Sequence, residues 1–210
     1  MTLSKDQKQK LKKLRAAKYN SVKGIDATLF TLTNEDLAAS EPIVIQYKIT
    51  PLPPTRLQDC MGMFEENMGA LYQESSWGLD LTEKREELDH LNARFLLVYK
   101  DEELVGYCHF RFETNDDDNP TAVVVYVYEL QVSSKYQRYG IGQRLMEVVH
   151  QVTLKAGLTK IMLTVFNANE AAVRFYKKLG YVIDGTSPSQ DEEESDYEIM
   201  SHILTGNNLE

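Results

Sequence analysis

The stretch Gln-Arg-Tyr-Gly-Ile-Gly at positions 137–142 constrains the fold more than any other feature of this chain. It joins a β-prone run, Ala122–Val132, to an amphipathic run, Leu145–Leu154. Glycines let a turn adopt positive φ and approach a ligand closely, and the amides at a helix start attract anions. The stretch therefore predicts a strand–turn–helix unit that either grips a pyrophosphate or is simply a tight helix start. A P-loop is excluded because no Gly-Lys-Ser/Thr follows, and the spacing does not fit a Rossmann fingerprint.

A second segment, residues 169–181, carries signals for both ends of a helix. Asn169 suits the N-cap position, and Gly180 suits the left-handed residue that ends a helix. A strand-like run, Lys160–Val165, lies between the two segments. Apolar side chains at helical spacing share one face of the predicted helix: Ala172, Phe175, Tyr176 and Leu179. A packed helix needs no ligand to account for this pattern.

Both segments resemble a known family. Gln-x-x-Gly-x-Gly resembles the acetyl-CoA signature of the GNAT N-acetyltransferases, and the segment at 169–181 resembles that family's Asn-x-x-Ala-x-x-Phe-Tyr-x-x-Leu-Gly-Phe element. The resemblance implies acetyl-CoA as co-substrate and an α/β (α+β) fold, with a mixed central sheet and flanking helices, over residues 41–206. The predicted order of elements agrees: strand, two helices, three strands, helix, strand, helix, two strands. Residues 1–40 lie outside the resemblance and are predicted to form a basic helical extension.

The charge of the chain is unevenly distributed. The net charge is −9, yet residues 1–25 hold eight basic side chains and one acidic one, leaving 15 basic and 31 acidic in the remainder. This acidic remainder of the chain is unfavourable for binding nucleic acid and favourable for binding a basic peptide. A solvated acidic surface explains the same charge equally well. The basic segment could contact ribosomes or chromatin or serve nuclear import. Alternatively, Leu11 and Leu14 could pin a solvated helix to the domain.

Other features narrow the setting. No apolar run approaches the roughly 20 residues needed to span a bilayer, and the N-terminus lacks the apolar core of a signal peptide. Cys60 and Cys108 are expected to be buried thiols in a reducing compartment. The four histidines lack ligand spacing, so no metal is expected. We expect a monomer in cytoplasm and nucleus.

Shorter segments refine the resemblance. Residues 71–78, 126–132 and 195–199, with the basic start, closely resemble the NatD group of N-α-acetyltransferases. That group is selective for the core-histone tails (H-four and H-two-A) that begin Ser-Gly-Arg-Gly, so histone tails are the implied partner. Two alternatives stay open. One is a GNAT acetyltransferase for a lysine side chain or a polyamine, and the other is a catalytically silent module that binds acyl-CoA.

The resemblance assigns catalytic roles to three residues. Glu129 is the implied general base, acting directly or through a water, with Tyr128 beside it. The α-amine has an unperturbed pKa of about 7.7–8.0 and must lose a proton before it attacks, so a base whose pKa is raised by an apolar setting suits the task. From the residues alone, Glu129 could equally be an edge or hydrogen-bonded glutamate. Tyr176 matches the tyrosine that protonates the departing thiolate, although cofactor contact or packing explains it as well.

The resemblance also implies two binding sets. Acetyl-CoA contacts fall on Leu130, Gln131, Val132, Gln137, Arg138, Tyr139, Gly140, Ile141, Gly142, Asn169 and Tyr176. Peptide contacts fall on Tyr72, Trp77, Glu113, Tyr126, Tyr128 and Tyr197. Structural explanations remain for several of these: a core anchor for Trp77, core packing for the strand tyrosines and an exposed loop-edge glutamate for Glu113. The acidic loops at 114–118 and 191–196 are expected to favour an arginine-rich tail.

Overall fold

The computed structural model of the protein describes residues 30–32, 43–114, 122–191 and 194–205. The predicted basic helix, and parts of the two acidic loops, lie outside these residues. The boundary drawn at residue 40 therefore stays a prediction.

A single mixed sheet forms the centre of the described part of the chain. Its spatial order is β1-β2-β3-β4-β5-β6-β8-β7. Neighbouring strands are antiparallel, except that β5 and β6 run parallel. The strands are β1 Phe30–Leu32, β2 Ile43–Ile49, β3 Arg94–Lys100, β4 Glu103–Thr114, β5 Val123–Val132, β6 Lys160–Phe166, β7 Val182–Ile183 and β8 Tyr197–Ile203.

Four α-helices flank the sheet within the described residues: α1 Pro54–Glu74, α2 Leu81–Leu88, α3 Ile141–Lys155 and α4 Glu170–Lys178. Local chemistry sets their starts. Pro54 occupies the first turn of α1, where its missing N–H costs nothing. The Asp80 carboxylate caps α2 by accepting from two backbone amides, and the Asn169 side chain caps α4 by accepting from Ala172 N. The predicted cap at Asn169 is thereby confirmed.

Helix α2 ends before the helix-favouring run of the sequence does. That charged run, residues 82–91, predicts a helix as far as Leu91, but α2 ends at Leu88. The following residues form a turn in which Ala93 N donates to His90 O at 2.8 Å and Asn92 N donates to His90 Nδ1 at 3.1 Å. These bonds give the backbone partners outside the helix, so the helix stops there.

The sheet separates two apolar clusters. Strand β3 contributes to both by alternation, since Leu96 and Val98 face the cluster under α3 and α4, while Phe95 and Leu97 face the cluster under α1 and α2. Cys108 lies in the first cluster and Cys60 in the second. Both are buried free thiols, as predicted.

Strands β5 and β6 separate midway along their length. Their ladder covers only Val125–Val127 and Ile161–Leu163. Just beyond it, β5 carries a bulge, because His109 pairs with Glu129 while Phe110 pairs with Val127, leaving Tyr128 as the extra residue. From there β5 follows β4 and β6 follows β8. The split opens a wedge in the sheet, and this wedge holds the site described below.

Among the described residues, no helix is both long and apolar enough to cross a bilayer.

Candidate active site

A cavity of about 310 Å³ fills the wedge between β5 and β6. Helices α1, α2 and α4 close its remaining sides. Nine predicted site residues line it: Tyr72, Trp77, Tyr126, Tyr128, Glu129, Leu130, Gln131, Asn169 and Tyr176. Lys84, Glu87, Thr164 and Phe166 also line it and were not among the predicted site residues. The fold therefore brings together residues from five separate segments of the chain.

The turn at 137–142, here named the glycine turn, leads directly into α3. Gly140 has φ +83°, a left-handed conformation that suits glycine. Gly142 packs against α4, since a Cβ there would be in van der Waals contact with Phe175, 3.4 Å from its Cζ. Gln137 Nε2 donates to Val132 O at 3.1 Å and ties the turn to the end of β5. The start of α3 presents backbone amides and the positive end of its dipole, which suit a phosphate.

Not all predicted cofactor residues in this turn can contact a ligand with their side chains. Ile141 is 1% exposed and packs in the core, so only its main chain could serve the cofactor. Arg138 has φ +67° and Tyr139 is partly exposed, both at the open side of the turn. None of these three lines the cavity.

Glu129 lies in a charged environment rather than the apolar one expected. Its Oε1 accepts from Lys84 Nζ at 2.8 Å, and its Oε2 accepts from Gln131 Nε2 at 2.7 Å. Asn67 Nδ2 donates to Gln131 Oε1 at 3.0 Å and so orients that amide with its Nε2 toward Glu129. The expectation of an apolar setting was wrong, because α2 brings a lysine to the strand. The role of Glu129 as base stays a prediction.

Lys84 joins two acids in what we name the carboxylate cluster: Lys84, Glu87 and Glu129. Lys84 is 6% exposed, and its Nζ lies 2.7 Å from Glu87 Oε1. Burial by itself lowers the pKa of Lys84, but the carboxylates of Glu129 and Glu87 outweigh burial and raise that pKa overall. The lysine is therefore charged at neutral pH.

The sequence did contain a signal for this buried lysine. Leu81, Lys84 and Leu88 share one face of α2 by helical spacing, with the lysine in the centre of an apolar stripe. The abundance of charge in Thr-Glu-Lys-Arg-Glu-Glu suggested a solvated helix instead. A lysine on such a stripe is buried only if a partner reaches it, and the partner Glu129 is 45 residues away.

The two strand tyrosines lie together inside the cavity. Their ring centroids are 5.2 Å apart. Tyr128 OH donates to Glu113 Oε1 at 3.3 Å, and the Arg111 guanidinium lies 4.3 Å from the Tyr128 ring centroid. Tyr126 OH is hydrogen-bonded to Thr164 Oγ1. The explanation of Glu113 as an exposed loop-edge glutamate was wrong, since it is a half-buried strand residue whose pKa is raised by burial.

Aromatic side chains surround the opening of the cavity and form the aromatic mouth: Tyr72, Trp77, Phe166 and Tyr197. Trp77 is 50% exposed, and its ring centroid lies 5.2 Å from that of Phe166 and 5.0 Å from that of Tyr197. The alternative of a core anchor for Trp77 was therefore wrong. Asp196 holds the mouth together by accepting from Ser76 N at 2.6 Å and Ser76 Oγ at 3.0 Å.

Helix α4 supplies the remaining predicted residues. Asn169 lines the cavity and contacts Met68 through Nδ2 and Sδ, 3.8 Å apart. Tyr176 is 8% exposed, and burial raises the pKa of its hydroxyl. A phenol with a raised pKa holds its proton firmly, which fits packing and makes it a weaker proton donor to a thiolate than an ordinary tyrosine. Its role stays a prediction.

No group of three or more His, Cys, Asp and Glu side chains suited to a metal ion occurs in the described ranges. The arrangement instead offers amide groups for an anion at one end and carboxylates with aromatic rings at the other.

Comparisons with known proteins agree with this geometry. The sequence profile of the acetyltransferase (GNAT) family matches residues 58–181. N-alpha-acetyltransferase 40 of Saccharomyces cerevisiae is 26% identical over 166 residues, which cover 69% of this chain and 58% of that protein. Arabidopsis thaliana Naa50, solved with the bisubstrate analogue CoA-Ac-MVNAL, superposes with TM-score 0.54 at 22% identity, covering 76% of this chain and 99% of that one. The PaiA N-acetyltransferase of Thermoplasma acidophilum, solved with coenzyme A, gives TM-score 0.55 at 17% identity, with coverage of 76% and 99%.

The chain spans a little over half the length of two curated relatives that it matches, the yeast protein and YxbD of Bacillus subtilis. The solved structures, at 22% and 17% identity, establish the fold. The predicted fold class, a mixed sheet with flanking helices, is confirmed. Because the family profile covers more than half of the sequence and includes the glycine turn, the chain belongs to the acetyltransferase (GNAT) family.

Proposed function

We propose that this protein is an N-α-acetyltransferase that moves acetyl from acetyl-CoA to the α-amine of histone tails beginning Ser-Gly-Arg-Gly. The observation that carries the proposal is the wedge between β5 and β6, which holds a cavity containing two carboxylates, while the end of β5 is tied to the glycine turn through Gln137. A thioester entering from the turn and an amine entering from the mouth would meet beside Glu129. Direct transfer in such a ternary complex depends chiefly on positioning.

The glycine turn supports acetyl-CoA as co-substrate. Its left-handed Gly140 and the amides at the start of α3 suit a pyrophosphate. Naa50 and PaiA, which share the fold, were solved with a CoA-peptide analogue and with coenzyme A, respectively. Beyond Val127, β5 has left its β6 partner. We propose that the backbone N–H groups of Leu130 and Val132 hold pantetheine and the developing oxyanion, since the Val132 carbonyl already accepts from Gln137 and Asn67. Both cysteines are buried, and burial raises the pKa of the Cys60 thiol to about 12, which does not favour a covalent acyl-enzyme.

The aromatic mouth and its acids support a peptide acceptor. An exposed tryptophan flanked by Tyr197 and Phe166 offers flat apolar surfaces to the first residues of a chain. Glu113, behind Tyr128, is the carboxylate proposed to accept the bidentate guanidinium of the substrate arginine. The similarity to N-alpha-acetyltransferase 40 favours an α-amine over other acceptors. We propose a cytoplasmic and nuclear monomer whose basic N-terminal segment contacts ribosomes or chromatin.

Two other functions fit part of the site. A lysine side chain or polyamine is also a cation and would suit the same carboxylates. A silent acyl-CoA-binding module would use the glycine turn alone, although it gives no reason to bury Lys84, Glu87 and Glu129 together in the cavity.

Acetyl transfer to three peptides, with the modified atom located by mass spectrometry, tests the proposal. One begins Ser-Gly-Arg-Gly, the second is identical but has a blocked α-amine, and the third begins with an unrelated pair. We expect acetylation of the first alone. Modification of the blocked peptide would indicate a lysine acetyltransferase, and transfer to none of the three would contradict a protein N-terminal acceptor.

A further inference from the structure

The carboxylate cluster contains two acids for one base. Lys84 Nζ lies 2.8 Å from Glu129 Oε1 and 2.7 Å from Glu87 Oε1. With all three groups ionised, the cluster carries one net negative charge. An amine that arrives protonated is attracted to such a site and can give its proton to one of the two carboxylates.

Glu129 is the less suitable of the two acids to receive a proton. Each of its oxygens already accepts from a donor, Lys84 on one side and Gln131 on the other. Its side chain is 4% exposed. A proton added to either oxygen would have to displace one of these donors.

Glu87 differs in both respects. Its side chain is 26% exposed and lines the cavity, so an incoming amine can reach it. Burial raises the pKa of Glu87, the Lys84 ammonium opposes that rise, and the neighbouring Glu129 charge adds to it. The overall direction is upward, toward the range of a useful base.

Strand β4 faces Glu87 with two further groups. His109 Nε2 accepts from Arg111 Nε at 3.3 Å, which assigns the ring proton to Nδ1. That Nδ1 lies 4.0 Å from Glu87 Oε1 and has no hydrogen-bond partner within the described part of the chain. Burial, with the nearby Arg111 charge, lowers the pKa of His109 well below its usual value, so the ring is neutral. Among the described residues, the titratable and charged groups that face Glu87 are Lys84, Glu129, His109, Arg111, Tyr72, Tyr107, Tyr126 and Tyr128.

We propose that Glu87 is the carboxylate that accepts the proton of the acceptor amine, with Lys84 and Glu129 as positioning residues; this rests on the proposed amine acetylation. The ammonium first gives one proton to Glu87. The free amine then attacks the thioester carbonyl, forming the N–C bond, and the C–S bond breaks. The second amine proton passes to the CoA thiolate, and Glu87 releases its proton to solvent.

The pH dependence of kcat distinguishes this assignment from Glu129 as base. Without an internal acceptor, only amine that is already unprotonated reacts, and at pH 6 that is about 1–2% of an amine with pKa about 7.7–8.0. For Glu87→Gln we therefore expect a loss of about 100-fold at pH 6 that nearly vanishes above about pH 9. For Glu129→Gln we expect a similar loss at every pH. Glu86→Gln, the same change on the exposed side of α2, is the matched control and should behave as wild type.

Two outcomes would overturn the assignment. One is a Glu87→Gln loss that is constant with pH, which would indicate a structural role. The other is a Glu129→Gln loss of kcat that disappears at high pH, which would make Glu129 the proton acceptor. Acetyl-CoA affinity, measured calorimetrically in each variant, should stay within about twofold of wild type.

A second measurement does not depend on the acceptor. Side-chain carboxyl carbons are titrated by NMR in the CoA-saturated protein. Besides Glu113, whose pKa burial also raises, one glutamate should titrate above the ordinary value of about 4.3, remain in Glu86→Gln and vanish in Glu87→Gln. If no peptide is acetylated, the proposed function fails, but this titration still decides whether the pKa of Glu87 is raised. A Glu87 that titrates normally would refute its role as base.

Discussion

The glycine turn is built from six consecutive residues, whereas the carboxylate cluster takes its members from α2 and β5, with support from α1 and β4. The turn acts through backbone geometry at Gly140 and close packing at Gly142. The cluster acts through side-chain charges held 2.7–2.8 Å apart. A cofactor common to a family can be held by a local backbone feature. An acceptor that differs between members is met by side chains from distant segments.

Removing the shared cation should have the greatest effect on the carboxylate cluster. Lys84→Met leaves the buried Glu129 carboxylate beside the partly exposed Glu87 carboxylate without a cation between them, and an uncompensated buried charge typically costs about 3–5 kcal/mol. We expect a loss of that size in the free energy of unfolding at pH 7, measured by urea denaturation. Lys48→Met, an exposed lysine on β2, should change stability by less than about 0.5 kcal/mol.

The loss in Lys84→Met should also depend on pH. Without the lysine, both carboxylates hold protons more tightly in the folded state than in the unfolded state. Their destabilising effect is therefore complete above the folded pKa, declines as pH falls through that pKa, and vanishes only below the unfolded pKa of about 4.3. The variant should approach wild-type stability as pH falls toward 4, and a pH-independent difference would contradict the ion-pair explanation.

Glu129→Gln should separate turnover from cofactor binding. The change removes charge from the acceptor side of the cavity and leaves the glycine turn intact. We expect kcat at pH 7 to fall about 100-fold with acetyl-CoA affinity unchanged by calorimetry. Glu65→Gln, an exposed change on α1, should leave both quantities unchanged. Unaltered turnover in Glu129→Gln would exclude this residue from the reaction.

Gly140→Ala should weaken acetyl-CoA binding more than it lowers kcat, the opposite of the effect expected for Glu129→Gln. A Cβ at φ +83° meets no neighbouring atom, so the cost of about 1–2 kcal/mol comes from the left-handed backbone itself. We expect acetyl-CoA to bind about 5- to 30-fold more weakly, with a smaller change in kcat at saturation. Gly185→Ala, which also meets no atom and lacks positive φ, is the control. Equal behaviour of the two variants would show that the turn conformation does not matter.

Trp77→Ala should weaken binding of the acceptor peptide by a modest factor and leave acetyl-CoA binding unchanged. Its ring is half exposed and makes edge contacts with Tyr72, Phe166 and Tyr197, which are worth about 0.5–1.5 kcal/mol per aromatic pair. We expect KM for the peptide to rise about 3- to 10-fold with acetyl-CoA affinity unchanged. Leu91→Ala, an exposed apolar residue away from the cavity, should leave KM as it is.

The sequence alone determined most of the fold, including the strand–turn–helix unit that contains the glycine turn. Strand alternation, the Asn169 cap and the glycines at 140 and 180 are local signals, and the structure confirms the elements they predict. Such features follow from interactions between residues close along the chain, so they can be recognised without knowing the topology.

Only the tertiary structure decided how Glu129 is held and which other charges share its cavity. The wedge between β5 and β6 exists because two parallel strands separate after three paired residues, and no local pattern marks that point. Lys84 and Glu87 looked like ordinary members of a charged helix, yet the packing of α2 against β5 buries the lysine between two acids. A charged side chain is solvated or buried according to what lies opposite it, and that partner is set by the fold.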